Sequence, residues 1–272
     1  ARPRVQEDRQ RAQVIAQVNT PRQRQRFLNA CRGKLCCGAT LPLALQLLGK
    51  AQPGRFFAGP TLALDIGGRT AWAAGHANPE ELASFLNFCG CRAVILDEAE
   101  CPPPVGWQKT CDHTIFGLAA GEQLPLPAQT EAQKALWDSL TFVEDPASGP
   151  VAENLFPDRP ARRDDFYSEL CTKRSRGKAL VWTLEQGGNI VCTVGAYALC
   201  NGQAYMACGQ TAEALRGQRV GGRLIVQMAN ALSAQGDQPV FLCSPERVHF
   251  YTQLGFHPLG TLARYESPIG KD

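Results

Sequence analysis

Thr211-Ala-Glu-Ala-Leu-Arg-Gly-Gln-Arg-Val-Gly-Gly-Arg-Leu-Ile225 is the stretch on which the reading of this chain turns. A run that reads as a strand, Gln203 to Gln210, precedes it, and a run with helical periodicity, Val220 to Ala234, follows. A turn holding Gly217, Gly221 and Gly222 therefore falls where a strand ends and a helix begins. The first amides of a helix have no intrahelical acceptor and can converge on an anion, helped by the positive end of the helix dipole. Glycine lets a phosphate approach the backbone and supplies positive φ where a nest of amides needs it. Arg216, Arg219 and Arg223 add three guanidinium groups suited to charge-assisted bonds with phosphate oxygens. No Gly-Lys-Ser/Thr closes the turn, and it lacks the Gly-x-Gly-x-x-Gly of dinucleotide-binding folds with its acidic ribose partner.

Past the helix come a short apolar run, Val240-Phe-Leu-Cys-Ser244, and then Pro245-Glu-Arg-Val-His-Phe-Tyr-Thr-Gln-Leu-Gly-Phe256. Pro245 at a start and Gly255 at an end frame a helix of about ten residues. The turn and the ending Phe250-Tyr251-x-x-Leu254-Gly255-Phe256 together resemble the GNAT acyl-CoA N-acyltransferases. That family's coenzyme loop reads Arg/Gln-x-x-Gly-x-Gly/Ala. Arg216 takes its first position and Gly221 its last, while Arg219 stands where the first glycine is expected.

The resemblance implies an acetyl-CoA co-substrate and no metal. Cys208, Gly209, Gln210 and Thr211 would face the pantetheine arm and acyl carbonyl. The amides of Gln218, Arg219, Val220, Gly221 and Gly222 would meet the pyrophosphate, beside Gly217, with Arg216 and Arg223 assisting. An amine would attack the thioester directly, and Tyr251 would protonate the departing thiolate; a phenol with a pKa near 10 can donate to such a sulfur. The strand before the loop offers no carboxylate, which leaves Glu213 or a water chain as base. The acceptor expected is a small-molecule or peptide amine, and homodimerisation is left open. The competing reading is a non-catalytic CoA- or acyl-CoA-binding sensor or interaction module, favoured by the missing base and by Arg219 in the loop.

The chain of 272 residues is long enough for two domains. Order and composition suggest a basic extension over 1–20, an α/β domain over 21–120 and a linker with a short helix over 121–150; the resemblance implies a GNAT-like domain over 151–272. The fold class expected is α+β: a mixed, mainly antiparallel sheet flanked by helices, preceded by a smaller α/β half that resembles a degenerate GNAT module. In that first half Arg55–Ala58, Thr61–Ile66 and Thr70–Ala74 read as strands, with Gly67-Gly68 as a hairpin turn. Arg22–Cys31, Leu41–Lys50 and a helix capped by Asn78 with Pro79 in its first turn complete it.

Net charge is +3, but residues 1–26 hold seven arginines against Glu7 and Asp8, which leaves −2 for the rest. The basic surplus belongs to a tail, so the folded body is not expected to bind nucleic acid. No run of 18 apolar residues occurs, and the Arg- and Gln-rich start carries no apolar core of a secretory signal. A cytoplasmic protein with no membrane partner and twelve reduced cysteines is the expectation. Cys192, Cys200, Cys208 and Cys243 fall in apolar runs and read as small buried hydrophobes; with no Cys-x-x-Cys pair, no metal site is expected.

Overall fold

Residues 14–268 are described by the computed structural model, and they belong to two compact units. One holds the chain up to Ile115 together with Leu242–Pro245 and the stretch from Gly260 onward; the other holds Phe116–Phe241 and Glu246–Leu259. The basic extension proposed for 1–20 lies outside the described residues as far as residue 13.

The first unit begins with a two-residue strand, β1 (Ala16–Gln17), which pairs antiparallel with β2 (Phe56–Ala58). Ile15 is only 6% exposed, and its amide donates to Glu81 Oε1 at 3.0 Å. Residues 14–18 therefore belong to the folded unit and not to an extension, because one buried side chain and one strand pair anchor them. Helix α1 (Pro21–Cys31) starts in a capping box between Thr20 and Gln23 with Pro21 in its first turn. Helix α2 (Cys37–Leu48) begins four residues before the expected Leu41 and carries Pro42 inside it. Cys36, at φ +61°, turns the chain into that earlier start, and burial of Cys37, Ala39, Leu41 and Leu43 holds it there.

Strands β3 (Thr61–Gly67) and β4 (Thr70–His76) form the expected hairpin, with Ala63 opposite Ala74. Helix α3 (Pro79–Phe88) is capped by Asn78, whose side chain accepts from the amides of Glu80 and Glu81. It leads back to β5 (Ala93–Leu96), parallel to β4. Leu62, Leu64, Leu82, Leu86, Val94 and Leu96 make the core between sheet and helix. Beside β5 runs the C-terminal strand (His257–Glu266), antiparallel, with Ala263 opposite Leu96. Next to it lies β6 (Gln108–Gly117). The end of the chain thus completes the sheet of the first unit, which differs from the expected single unit over 151–272. Such pairing is long-range and leaves no local mark in sequence.

In the second unit α4 (Glu131–Asp138) lies where a short helix was expected within 121–150, and β7 (Thr141–Val143), not expected there, pairs with the sheet edge, Phe142 opposite Leu184. Helices α5 (Ser148–Leu155) and α6 (Pro160–Arg174) follow. Then come β8 (Leu180–Gln186), β9 (Asn189–Cys200), β10 (Gln203–Thr211), α7 (Val220–Ala234) and β11 (Gln238–Cys243). The ten-residue helix expected after Pro245 is a 3₁₀ turn, Pro245–Arg247, and a six-residue helix α8 (Val248–Gln253). β7 through β10 pair antiparallel in order, and β11 runs parallel to β10.

Both units share one order: strand, two helices, three antiparallel strands, a helix and a parallel strand. Among the described residues no helix is long and apolar enough to cross a membrane, and no cluster of three His, Cys, Asp or Glu side chains could hold a metal ion.

Candidate functional site

β10 sets the geometry. Its ladder with β9 passes from Ala207 opposite Gly195 to Gln210 opposite Thr193, so Cys208 and Gly209 face the single Val194. This is a β-bulge, and Cys208 takes φ +52° within it. On the other side β10 runs alongside β11 only from Gln203 to Tyr205. Bulge and short pairing turn the C-terminal half of β10 away from a regular sheet, at the end that leads into the glycine turn.

After β10 a short 3₁₀ turn, Glu213–Leu215, precedes Gly217 at φ +77° and Arg219 at φ +61°. The amide of Gln218 donates to Leu215 O at 3.3 Å, and that of Arg223 to Arg219 O at 3.0 Å. Among the described residues the amides of Arg219, Val220, Gly221 and Gly222 have no acceptor. Four free donors at a helix N-terminus are the kind of group that can converge on an anion, as in an anion cradle. The two helical glycines also serve packing. A Cβ on Gly221 would lie 2.4 Å from Thr211 Oγ1, and one on Gly222 would lie 3.0 Å from Leu254 Cδ2. Bare backbone there lets α7 start tight against β10 and α8.

The cradle opens into a cavity of about 840 Å³, within the range of small-molecule sites. Thr211, Arg216, Gly217, Arg219, Val220, Gly221 and Gly222 all line it. Phe250, Gln253, Leu254 and Gly255 form a second wall at the end of α8, and Pro125, Leu126, Pro127 and Ala128 a third. This third wall is a strap that the composition of 121–150 disguised as linker. Asn230, on α7, clamps its base: Oδ1 accepts the Leu124 amide at 2.9 Å and Nδ2 donates to Leu124 O at 2.8 Å. Ser233 Oγ donates to Glu122 O at 2.7 Å. At the far end Arg219 Nη1 donates to Ala128 O at 2.8 Å. Two prolines spaced two apart, and an asparagine and a serine in an apolar helix, were the available signals.

Other candidates lie elsewhere. Cys208 and Gly209 occupy the bulge, Gln210 resumes the ladder opposite Thr193, and none of the three lines the cavity; Gln210 Nε2 donates to Asn154 O at 3.2 Å. Cys200 and Cys208 are half-buried, where full burial was expected, while Cys192 and Cys243 are buried. Burial raises the Cys208 thiol above its ordinary range despite Arg162 and Lys173 nearby, so near neutral pH it stays protonated. Gln218 does not line the cavity, and Arg223 lies over the Trp137 ring at 5.0 Å. Arg216 Nε donates to Thr211 O at 3.3 Å and leaves its other donors to the cavity. Tyr251 packs in an aromatic nest with Phe241, Phe116 and Phe256 at ring distances of 4.6, 5.9 and 6.3 Å. Glu213 is exposed and does not line the cavity.

The first unit's counterpart of the turn, between β4 and α3, is only Ala77 and Asn78. There Asn78 already occupies the amides, and Glu80 and Glu81 would repel a phosphate.

No family model and no curated protein matches the chain. Solved structures do. A GCN5-related N-acetyltransferase from Sphaerobacter thermophilus superposes with TM-score 0.61 at 13% identity, over 93% of this chain and 94% of that one. A tandem GNAT protein from the clavulanic acid biosynthesis pathway gives TM-score 0.60 at 13% identity, over 95% and 98%. A GCN5-related N-acetyltransferase from Kribbella flavida gives 0.54 at 16%, over 77% and 87%. The chain has the fold of the GCN5-related N-acetyltransferases, in the α+β form expected.

Proposed function

We propose that the second unit binds acetyl-CoA, or another acyl-CoA, and transfers the acyl group to a primary amine. The observation that carries this reading is the run of four unbonded amides, Arg219 to Gly222, opening with Arg216 into one cavity. Such a cradle fits a diphosphate: backbone donors fix it, the helix dipole favours its charge, and an arginine adds a charge-assisted bond. The bound coenzyme supplies the acyl thioester. Cys208 to Thr211 then face the pantetheine arm, the bulge being where strand backbone is released from the ladder. Holding the amine against the thioester supplies much of the rate; as the N–C bond forms and the C–S bond breaks, Tyr251 donates its phenolic proton to the thiolate, and the proton shed by the attacking nitrogen restores the phenol through solvent. The nest of Phe116, Phe241 and Phe256 orients that ring.

A thiol-release assay with acetyl-CoA against a panel of amines, amino acids and aminoglycosides tests the reading. Amine-dependent release supports it. Coenzyme binding without release by any amine supports a second reading, a CoA-binding module without turnover. That alternative draws on one observation: among the described residues no carboxylate lines the cavity, and Glu213 lies exposed outside it.

A further inference from the structure

The sheet of the second unit has two faces, and the helices divide them. Cys192 and Thr211 lie under the start of α7, where a Cβ on Gly221 would come within 2.4 Å of Thr211 Oγ1 and 3.9 Å of Cys192 Sγ. The next residue along β9, Thr193, points the other way, and its Oγ1 donates to Asn154 Oδ1 of α5 at 3.2 Å. On that second face Val151 of α5 and Leu170 of α6 close over Val181 and Tyr197, with Ala207 and Cys208 packed against them.

One polar atom inside this cluster is left unpaired. Tyr197 is 7% exposed, and its Oη has no hydrogen-bond partner among the described residues. A Cβ on Gly195 would lie 2.6 Å from that Oη, so the ring folds back along β9 over the glycine. Gly195 stands opposite Ala207, the residue before Cys208, which puts the phenol beside the bulge. Burial raises the Tyr197 phenol well above its ordinary range, so it stays neutral. A buried hydroxyl without a partner destabilises a fold, and its presence calls for a ligand that completes it.

A cation stands at the outer end of the same cluster. Arg162 Cζ lies over the Phe156 ring at 4.9 Å. Phe156 meets Phe166 edge-on at 5.2 Å, and Phe166 meets Tyr197 at 5.4 Å. The charges of Arg162 and Lys173 both bear on the Cys208 thiol. Lys173 is spent on Glu169 at 2.7 Å, whereas Arg162 is exposed and has no carboxylate partner among the described residues. Guanidinium, aromatic wall and unpaired phenol form one path from the surface to the bulge.

We infer that this face receives an acceptor carrying both an amine and an acidic group, with Tyr197 Oη accepting a hydrogen bond from the amine and Arg162 binding the carboxylate or phosphate. The inference rests on the acyltransferase reading above and gives it a substrate class, the anionic amines. Coenzyme and acceptor then meet at β10 from opposite faces, and Arg162 is the residue that selects the acceptor.

Steady-state thiol release by the full chain with saturating acetyl-CoA tests it on matched acceptors: amino acids against their carboxamides, and phosphoethanolamine against ethanolamine. Wild type uses the acidic member with kcat/KM roughly tenfold or more above the neutral one, and the pair that shows the difference tells carboxylate from phosphate. Arg162→Gln abolishes the preference by raising KM for the acidic acceptor roughly tenfold to a hundredfold, with kcat and the KM for acetyl-CoA unchanged; Arg162→Lys keeps part of it. Tyr197→Phe lowers kcat/KM for both members of a pair by roughly tenfold. Its urea midpoint is no lower than that of wild type, because the hydroxyl makes no bond within the fold. Equal use of acidic and neutral acceptors by wild type, or an acid preference that survives Arg162→Gln, overturns the inference and leaves the transferase reading standing. So does full activity of Tyr197→Phe. Absence of thiol release with every acceptor overturns the transferase reading and this inference with it.

Discussion

Arg219 holds the position where the GNAT pattern has glycine, and the chain accommodates it in the left-handed region at φ +61°, ψ +6°. An L-residue there costs on the order of 1–2 kcal/mol. The bond from its guanidinium to Ala128 O offsets part of that cost and ties the strap down. Arg219→Gly and Arg219→Ala both remove this bond, but only glycine relieves the backbone. Denaturant unfolding should therefore find Arg219→Gly more stable than Arg219→Ala by about 1 kcal/mol; equal stability would mean that the turn relaxes without strain. Tyr251 is the other decisive residue. Tyr251→Phe keeps the ring in its nest with Phe241 and Phe116 and removes only the hydroxyl. It should leave CoA affinity unchanged and lower turnover by roughly a hundredfold or more, measured by steady-state thiol release. Unchanged turnover would assign the proton to another donor.

At the scale of elements, the start of α7 is tightly packed on two sides. Gly221→Ala drives a methyl group to within 2.4 Å of Thr211 Oγ1 and should destabilise the chain by roughly 1–3 kcal/mol, read as a lower midpoint in urea. The helix and its bounds were legible in sequence because glycines and apolar periodicity coincide there. Asn78-Pro79 marked α3 equally well, since cap and first-turn proline act locally. The short strands β1 and β7 were not legible: two or three residues carry no alternation, and their reason to be strands lies on the neighbouring strand. Helix α2 starts earlier than Leu41 because its start is set by the left-handed Cys36, which no local sequence signal marks. In the site, the loop residues could be named from the motif. The strap could not, because Pro, Ala and Gln composition says nothing of the clamp that Asn230 makes from α7.

The whole molecule repeats one design, with an open helix start in the second unit and a closed one in the first. Burial raises the thiols of both units above their ordinary value, most strongly in the first. In the first, burial raises Cys37 from an ordinary value of 9.0 to about 12, and Cys91 and Cys101 to about 11. Above pH 9 unfolded thiols ionise while the buried native ones stay protonated, which favours the unfolded state, so stability held in full below pH 9 is lost as pH rises toward 11–12. Stability measured by urea titration should accordingly decline above pH 9, and more slowly when Cys91 and Cys101 are replaced by alanine against each variant's own pH 7 value. A profile flat to pH 11 would contradict the burial of these groups.

Coenzyme stoichiometry examines the central claim most directly, because it asks whether a diphosphate is held by the turn of the second unit and by that turn alone. Titration of the full chain with acetyl-CoA should give one equivalent bound per chain, with a raised melting temperature. Arg216→Glu, which places a carboxylate beside the free amides of Arg219 to Gly222, should abolish both. Two equivalents per chain, no binding at millimolar ligand, or binding undiminished in Arg216→Glu would contradict the account.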